Sequence, residues 1–176
     1  RSGKKYNKRA SKDAGRGCIR SRVDIEHRPA IVEARKRIGD WEGDLVLGKE
    51  NTGAVVTLVE RKTRFTKLHR INRKTAAETN VAISKAFKSL PPAYLVTLTF
   101  DNGKEFAWHE HMTNALGIDI YFARPYHSWE RGLNENTNGL LRQYLPKGSS
   151  FADLTEAHFQ WIESELNNRP RKCLGF

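Results

Sequence analysis

One aspartate in the sequence lies in a segment where a carboxylate would be costly to bury. Asp44 directly precedes the apolar run Leu45-Val46-Leu47, in a segment that we expect to form a central strand. An unpaired carboxylate buried in such a strand costs several kcal/mol, so it requires a partner or a function. Asp40 and Glu42 are weaker candidates, because Asp40 comes too early and Glu42 lies near the exposed start of the strand. We expect both to be structural or surface residues.

Two further acids lie where they could join Asp44. Asp101 follows an apolar segment and enters Asn102-Gly103. It therefore lies at the carboxyl end of a predicted strand, where open α/β sheets bind their ligands. Glu135 lies in the first turn of a helix predicted to begin at Gly132, where the helix dipole favours a carboxylate. Each also has a simpler interpretation, Asp101 as a turn former and Glu135 as a charge that stabilises a helix.

If the strands that carry Asp44 and Asp101 are neighbours, their carboxylates converge, and a helix that crosses the sheet edge can bring Glu135 to the same point. Clustered carboxylates repel one another and bind cations, and all-oxygen sites suit Mg²⁺ or Mn²⁺. Two such ions about 3.5–4 Å apart can activate a water or hydroxyl and stabilise the leaving oxygen of a phosphodiester. The acids therefore predict a site for two Mg²⁺ ions, for which Mn²⁺ can substitute.

The elements that must position these acids follow from hydrophobic periodicity and turn residues. Short β-branched or alternating segments predict strands, and longer segments bounded by caps, Gly or Pro predict helices. The strands are expected at 41–47, 54–59, 65–71, 94–100 and 119–122, and the helices at 26–37, 75–90, 105–116, 132–144 and 153–168. Thr75 and Glu78 predict a capping box, in which each side chain bonds the backbone of the other.

From the first strand onward the order is βββ-α-β-α-β-α-α, an antiparallel meander followed by alternating helices and strands. This order indicates an α/β fold with a mixed five-stranded sheet and helices on both faces. The ribonuclease H-like fold has the same order of elements.

Positive charge is concentrated at the start of the chain. The net charge is +11, and residues 1–40 hold 13 of the 31 basic residues but only 5 of the 20 acidic ones. Residues 1–24 are rich in Lys, Arg, Gly and Ser, which predicts a flexible or DNA-ordered arm. We therefore divide the chain into a basic arm or linker, 1–37, and a domain, 38–176. The arm favours a nucleic-acid partner, because neutralised phosphates release counterions. A merely solubilising tail is the alternative.

Other residue types exclude several classes of protein. Cys18 and Cys173 lie far apart and outside any C-x-x-C motif, which predicts a reducing compartment and argues against structural zinc. His109 and His111 lack further ligands nearby, so we expect surface residues. No apolar run approaches the roughly 20 residues of a membrane helix, and no signal peptide is present. Because the sequence starts without Met and ends abruptly, we expect a fragment of a longer protein.

Three motifs resemble the retroviral-integrase-like DDE transposases of bacterial insertion sequences. Trp41-Glu42-Gly43-Asp44 is similar to the family's tryptophan three residues before the first catalytic aspartate. Residues 100–106 are similar to its D-N-G-x-x-F signature, and residues 132–138 have its Gly three before and Asn three after the glutamate. Asp101 and Glu135 are 34 positions apart, the spacing expected of this group. The segments 38–44, 124–132 and 166–172 narrow the resemblance to the insertion sequence 30 family.

The resemblance implies a metal-dependent polynucleotidyl transferase with Asp44, Asp101 and Glu135 as catalytic and metal-binding residues. Its first step would nick DNA at the end of the element, and its second would be attack of the freed 3′-hydroxyl on another phosphodiester. It also implies DNA partners (transposon ends and target), a homodimer or higher oligomer on DNA, no membrane, and a cytoplasmic, nucleoid-associated location. A helix-turn-helix region is expected upstream of this sequence.

Several residues near the third motif and the end of the chain are candidates for DNA contacts. Some are expected to contact phosphates or to lie on the same helix face as Glu135, and others form an aromatic loop that could stack on splayed bases. The candidates are Arg131, Asn138, Arg142 and Lys147, the loop residues Tyr126, His127 and Trp129, and the second basic group Arg169, Arg171 and Lys172. Surface solvation of the arginines and core packing of Trp129 are the alternatives.

Two other functions remain open at this point. A ribonuclease H-like nuclease would hydrolyse DNA without strand transfer. A non-catalytic DNA-binding or regulatory module would be expected to lack one of the three acids, and all three are present.

Overall fold

The computed structural model describes residues 19–125 and 127–175, and the side chains of all of these except Asn51, Ser128 and Trp129. Residues 1–18 of the predicted basic arm, which include Cys18, and Tyr126 therefore lie outside the described residues. Within the described part of the chain, no helix is both long and apolar enough to cross a membrane.

A mixed five-stranded sheet forms the centre of the molecule. Its strands are β1 (Asp40–Leu47), β2 (Ala54–Glu60), β3 (Thr66–Ile71), β4 (Thr97–Phe100) and β5 (Asp119–Phe122), in the spatial order β3-β2-β1-β4-β5. The first three strands pair antiparallel, and β4 pairs parallel with both β1 and β5. The predicted α/β class, the antiparallel meander and the central position of the Asp44 strand are confirmed.

Helices cover both faces of the sheet, as expected. They are α1 (Ala76–Phe87), α2 (His109–Leu116), α3 (Gly132–Leu141) and α4 (Glu156–Asn167). Residues from α1 and α2 share one apolar core with Trp41, Leu58 and Phe100, and residues from α3 and α4 share the other with Val46 and Val55. Because successive strand residues point to opposite faces, β1 presents the even-numbered side chain of Asp44, like that of Val46, to the α3 face.

The helix predicted over residues 26–37 does not form. Two 3-10 turns, Ile25–His27 and Ala30–Val32, take its place. Pro29 explains the difference, because proline disfavours the helical conformation in the residue before it, and Arg28 is extended with ψ 132°. The buried Arg28 side chain instead donates to Thr99 Oγ1 at 2.9 Å and pairs with Glu33. The segment is therefore held against β4 by polar contacts.

Three local predictions near the other helices also need correction. The fourth strand begins at Thr97 rather than at residue 94, because residues 92–94 form a 3-10 turn. The helix expected from residue 105 is a 3-10 turn over 104–106 followed by α2. The predicted capping box is only half formed. Thr75 Oγ1 accepts from the Glu78 amide at 3.3 Å, but Glu78 Oε2 accepts from the amides of residues 72 and 73.

Candidate functional site

Asp44 lies on β1, with its side chain directed at α3. Its Oδ2 accepts a hydrogen bond of 2.8 Å from Asn138 Nδ2, and the side chain is 21% exposed. Its neighbour Gly43 allows this arrangement, because a Cβ at Gly43 would collide with the ring of Phe100 from β4. Close packing of β1 on β4 thus depends on glycine beside the acid.

Asp101 lies directly after β4 and opposite Asp44. The parallel register pairs Asp40 with Thr97 and Glu42 with Thr99, so its continuation places Asp44 beside Asp101. Asp101 Oδ1 accepts from the Gly103 amide at 2.9 Å, so this residue also forms the turn that follows the strand. The expected convergence of the two aspartates therefore results from parallel pairing of their strands.

The guanidinium of Arg131 lies between the two aspartates. Its Nη1 is 3.7 Å from Asp44 Oδ1, and its Nη2 is 3.6 Å from Asp101 Oδ2. The Gly43 carbonyl accepts a hydrogen bond of 2.8 Å from the same Nη1. The positive charge at this point of the sheet edge is thus supplied by the residue that caps the start of α3.

The surroundings of Asp44 disfavour the ionised form of its carboxyl group. Burial raises the pKa of the Asp44 carboxyl above its ordinary value, Arg131 lowers that pKa, and the nearby charge of Asp101 raises it again. Hydrogen bonds from the Leu45 backbone and from Asn138 favour the ionised form. The net direction is upward, so this pair of acids favours a cation between them.

Helix α3 is fixed on the sheet by a buried charge. Glu42 is fully buried, and its Oε2 accepts from the backbone amide of Asn134 at 3.2 Å. Its Oε1 accepts from Arg61, which is also buried and reaches Glu33 at 3.1 Å. The amide that Glu42 binds lies in the first turn of α3, where backbone donors lack helical partners and negative charge is favoured. Glu42 therefore anchors the helix that carries Glu135 and Asn138.

The burial of Glu42 and Asp40 corrects one sequence-based expectation. Glu42 does not lie at an exposed strand start, because 3-10 turns and α3 cover that end of β1. Asp40 is also fully buried, where Arg37 binds it with two hydrogen bonds of 2.8 Å and Thr97 donates to it at 2.7 Å. Both acids are structural, as expected, but neither is on the surface.

Glu135 is exposed in the first turn of α3. It lies four residues after Arg131 and three before Asn138, so the helix presents it on the side that contacts Asp44. Among the described residues, no group of three or more His, Cys, Asp or Glu side chains is gathered tightly enough to hold a metal ion. The close part of the site is thus the pair Asp44 and Asp101, and Glu135 is an exposed residue on the helix beside this pair.

These residues fit a hard divalent cation. The available donors are the carboxylate oxygens of Asp44 and Asp101, a ligand type that Mg²⁺ and Mn²⁺ prefer. A guanidinium already occupies the place between Asp44 and Asp101, which indicates that the pair is built to face positive charge.

The candidate DNA-contacting residues near α3 differ in how available they are. Arg142 Nη1 donates to the Leu145 carbonyl at 3.3 Å, and Lys147 is exposed in the turn that follows. His127 Nδ1 lies 2.8 Å from the Pro125 carbonyl. Tyr126 and the side chain of Trp129 are outside the described part of the structure, so the aromatic loop stays a prediction.

The second basic group lines a groove between α3, the end of α4 and the turn that joins β2 to β3. Arg169 binds Gln143 and packs over the ring of Tyr144, and Arg171 donates to the carbonyls of Thr63 and Leu166. The groove measures about 340 Å³, and its described lining contains basic residues but no acidic ones. Its charged lining residues are Arg64, Arg169, Arg171 and Lys172. Arg64 was missed in the sequence, because only the fold brings the turn after β2 to the end of the chain.

His109 corrects another expectation. It is buried, with its ring edge-on to Phe122 and its Nε2 3.3 Å from the Ser21 carbonyl, whereas His111 is exposed. His109 therefore packs in the core against Phe122 and does not lie on the surface.

Comparison with protein families matches the integrase core domain over residues 34–128, more than half of the chain. The chain belongs to the integrase core domain family. The matched span includes Asp44 and Asp101 and ends before Glu135. The place of Glu135 in this integrase core therefore rests on its own motif and on the position of α3.

Curated relatives of this integrase core include bacterial transposases. The transposase for insertion sequence element IS4351 of Bacteroides fragilis is 50% identical over 179 residues, which cover 100% of this chain and 54% of the relative. The transposase InsI for insertion sequence element IS30A of Escherichia coli (strain K12) is 40% identical over 174 residues, which cover 98% and 45%. The resemblance to insertion sequence 30 transposases is confirmed, and the chain spans about half the length of these relatives.

Solved structures confirm the ribonuclease H-like fold of the integrase core. The catalytic core domain of BIV integrase has a TM-score of 0.58 at 21% identity, covering 74% of this chain and 84% of that one. The HTLV-2 integrase catalytic core domain in complex with magnesium has a TM-score of 0.57 at 20% identity, covering 75% and 88%. At these identities the likeness is one of fold.

Proposed function

We propose that this integrase core is the catalytic part of an insertion-sequence transposase, a DDE-type enzyme that cleaves DNA ends and joins them to new DNA. The observation that carries the proposal is the convergence of Asp44 and Asp101 at adjacent strand ends, beside the helix of Glu135. The transposase names of its relatives support the same function.

Asp44 and Asp101 would hold one divalent cation between them, and Glu135 would complete a second position, giving two Mg²⁺ ions that Mn²⁺ can replace. Bound there, the ions would activate the attacking oxygen and stabilise the leaving oxygen of the phosphodiester. Asn138 would orient the Asp44 carboxylate through its 2.8 Å hydrogen bond. The HTLV-2 integrase core, a fold neighbour, was solved with magnesium.

The proposed chemistry consists of two displacements at phosphorus. In the first, water attacks a phosphodiester at the element's end, the bond to the 3′ oxygen breaks, and a 3′-hydroxyl is released. In the second, that hydroxyl attacks another phosphodiester, so one P–O bond forms as one breaks. Neither step oxidises or reduces anything, and neither needs a covalent bond to the protein.

DNA would follow the basic residues that flank this site. Arg142 directly follows α3 and Lys147 lies in the turn after it, and the groove with Arg169 and Lys172 lies against α3. We propose that these residues, Arg131 and the aromatic loop of Tyr126, His127 and Trp129 contact DNA. We also propose that the protein acts as a homodimer or higher oligomer, because two DNA ends must be joined. Because the transposase relatives are bacterial, we propose a cytoplasmic, nucleoid-associated location.

A strand-transfer assay separates this function from its alternatives. The probe is a 5′-labelled duplex with a recessed 3′-hydroxyl, incubated with the protein, Mn²⁺ and an unlabelled plasmid. We expect label to appear covalently in plasmid-sized product. Shortened or nicked DNA without joined product would instead favour a ribonuclease H-like nuclease, and DNA binding with neither product would favour a non-catalytic module.

A further inference from the structure

Arg131 is held in a position that a phosphate-binding arginine does not require. Only 11% of its side chain is exposed, and its guanidinium faces the protein's own carboxylates. Among the residues that the structure describes, it is the one cation within 4 Å of Asp44 or of Asp101. Its nearest polar contact is the Gly43 carbonyl, at 2.8 Å. One side chain thus bridges the ends of β1 and β4.

The contacts with the two acids are looser than the contact with the backbone. Charge-assisted hydrogen bonds between guanidinium and carboxylate normally measure about 2.7–2.9 Å. The distances of Arg131 to Asp44 and Asp101 are 3.7 and 3.6 Å. Arg131 therefore neutralises the pair without forming a tight bidentate bond to either acid, and its anchor on Gly43 does not depend on them.

We propose that Arg131 is the internal counter-ion of the Asp44–Asp101 pair, which fills the cation position in the metal-free protein and gives way when a divalent ion binds. The inference rests on the proposed function, because it assumes that these aspartates are metal ligands. It assigns Arg131 a positioning role: the guanidinium keeps the two like-charged strand ends together before the ion arrives. The bond to Gly43 would then keep the displaced side chain at the site, where its remaining N–H donors can meet a phosphate.

Removing an arginine that competes with a metal ion has a different effect from removing a purely structural arginine. Removing a structural arginine weakens the folded protein with or without metal. Removing a competing counter-ion destabilises the metal-free protein but strengthens metal binding, because the ion no longer has to displace a bound charge.

The test is a calorimetric titration of Mn²⁺ into the wild-type protein and the variants Arg131→Gln and Arg37→Gln, with thermal unfolding of each measured with and without Mn²⁺. Arg37→Gln is the matched control, because Arg37 binds Asp40, an aspartate at the other end of the same strand. For Arg131→Gln we expect Mn²⁺ affinity about three- to tenfold tighter, a lower unfolding midpoint without metal, and a larger rise on adding Mn²⁺. Arg37→Gln should leave Mn²⁺ affinity unchanged.

Unchanged or weaker Mn²⁺ binding by Arg131→Gln would overturn the proposal. If that variant does not fold, Arg131→Lys replaces it: one ammonium cannot span both carboxylates and the Gly43 carbonyl, so tighter Mn²⁺ binding is again expected, and unchanged affinity overturns the proposal. Asp44→Asn serves as the separate check on the metal site. If it binds Mn²⁺ as well as the wild type, the metal assignment of the proposed function fails, whatever Arg131 does.

Discussion

At the scale of single residues, Asp44 lies at the candidate site in a position that lowers the stability of the folded protein. Its carboxylate is mostly buried, and the neighbouring Asp101 adds like charge. Proteins commonly give up stability at functional sites in this way. The sequence indicated this cost directly, because an acid precedes an apolar run. It could not indicate that Arg131 and Asn138 are the partners, because only the packing of α3 on β1 brings them there.

Replacement of Asp44 by asparagine should stabilise the metal-free protein at neutral pH. Burial raises the pKa of Asp44 above its unfolded value of about 3.9, so ionisation costs stability as the pH rises through the folded-state pKa. The cost is absent below the unfolded value and fully present above the folded one. A gain of about 1 kcal/mol would raise the unfolding midpoint by about 2–4 °C.

Thermal unfolding of Asp44→Asn measured from pH 8 down to pH 4 checks this expectation. The gain over the wild type should be largest at pH 8 and shrink as the pH falls. Asp153→Asn, at an exposed residue, controls for the change in net charge. An Asp44→Asn variant less stable than the wild type at pH 8 would show that Arg131 and Asn138 more than offset the burial.

At the scale of elements, the position of α3 determines whether the acids can act together. The sequence predicted this helix and its start at Gly132, because the residues before it form a turn-rich loop. The anchor, Glu42 with Arg61, was not predictable from spacing, since Arg61 comes from the end of β2 and the bound amide from residue 134. Patterns of hydrophobicity report which segments become helices, whereas buried charge pairs are made by tertiary packing.

The buried pair of Glu42 and Arg61 should contribute strongly to folding. Glu42→Gln keeps an acceptor for the Asn134 amide but removes the charge that Arg61 faces. Removing one partner of a buried ion pair costs roughly 3–5 kcal/mol. We therefore expect the free energy of unfolding, from urea titration, to fall by about that amount.

Glu33→Gln is the matched control for Glu42→Gln. Glu33 also pairs with Arg61, but its side chain is 65% exposed, so its loss should cost about 1 kcal/mol or less. The anchoring role would be refuted by a Glu42→Gln variant that unfolds at the same urea concentration as Glu33→Gln.

At the scale of the whole molecule, basic residues lie after the end of α3 and in the groove against it, and Asp44 and Asp101 lie near its start. The sequence indicated a nucleic-acid partner from the basic residues of the arm, most of which lie outside the described part of the structure. The groove with Arg64 and Lys172 emerged only from the fold, because its lining comes from three distant segments. Composition therefore predicts a nucleic-acid partner, and the fold supports a proposal for where that partner would bind.

Neutralising the groove should weaken DNA binding in a salt-dependent way. For the double variant Arg64→Gln with Lys172→Gln, two phosphate contacts would be lost. The slope of log affinity against log salt should then become less steep by up to about 1.8, since each contact contributes about 0.9. Fluorescence anisotropy of a labelled duplex, titrated at several salt concentrations, measures the slope.

Lys85→Gln with Lys88→Gln removes the same charge at the end of α1, on the other face of the sheet. This control should keep the wild-type slope. Equal slopes for both double variants would mean that the groove does not hold DNA.

The proposed function requires Asp44, Asp101 and Glu135 of this integrase core to cut DNA together. The decisive measurement is cleavage of a labelled duplex in Mn²⁺ by Glu135→Gln, together with its DNA affinity, because the Glu135 side chain is exposed and forms no hydrogen bond or ion pair with a described residue. We predict that cleavage falls at least about a thousandfold, the loss of roughly 4 kcal/mol of transition-state stabilisation, while DNA affinity stays within about twofold. A Glu135→Gln variant that cuts DNA at the wild-type rate would show that Glu135 is not a catalytic residue.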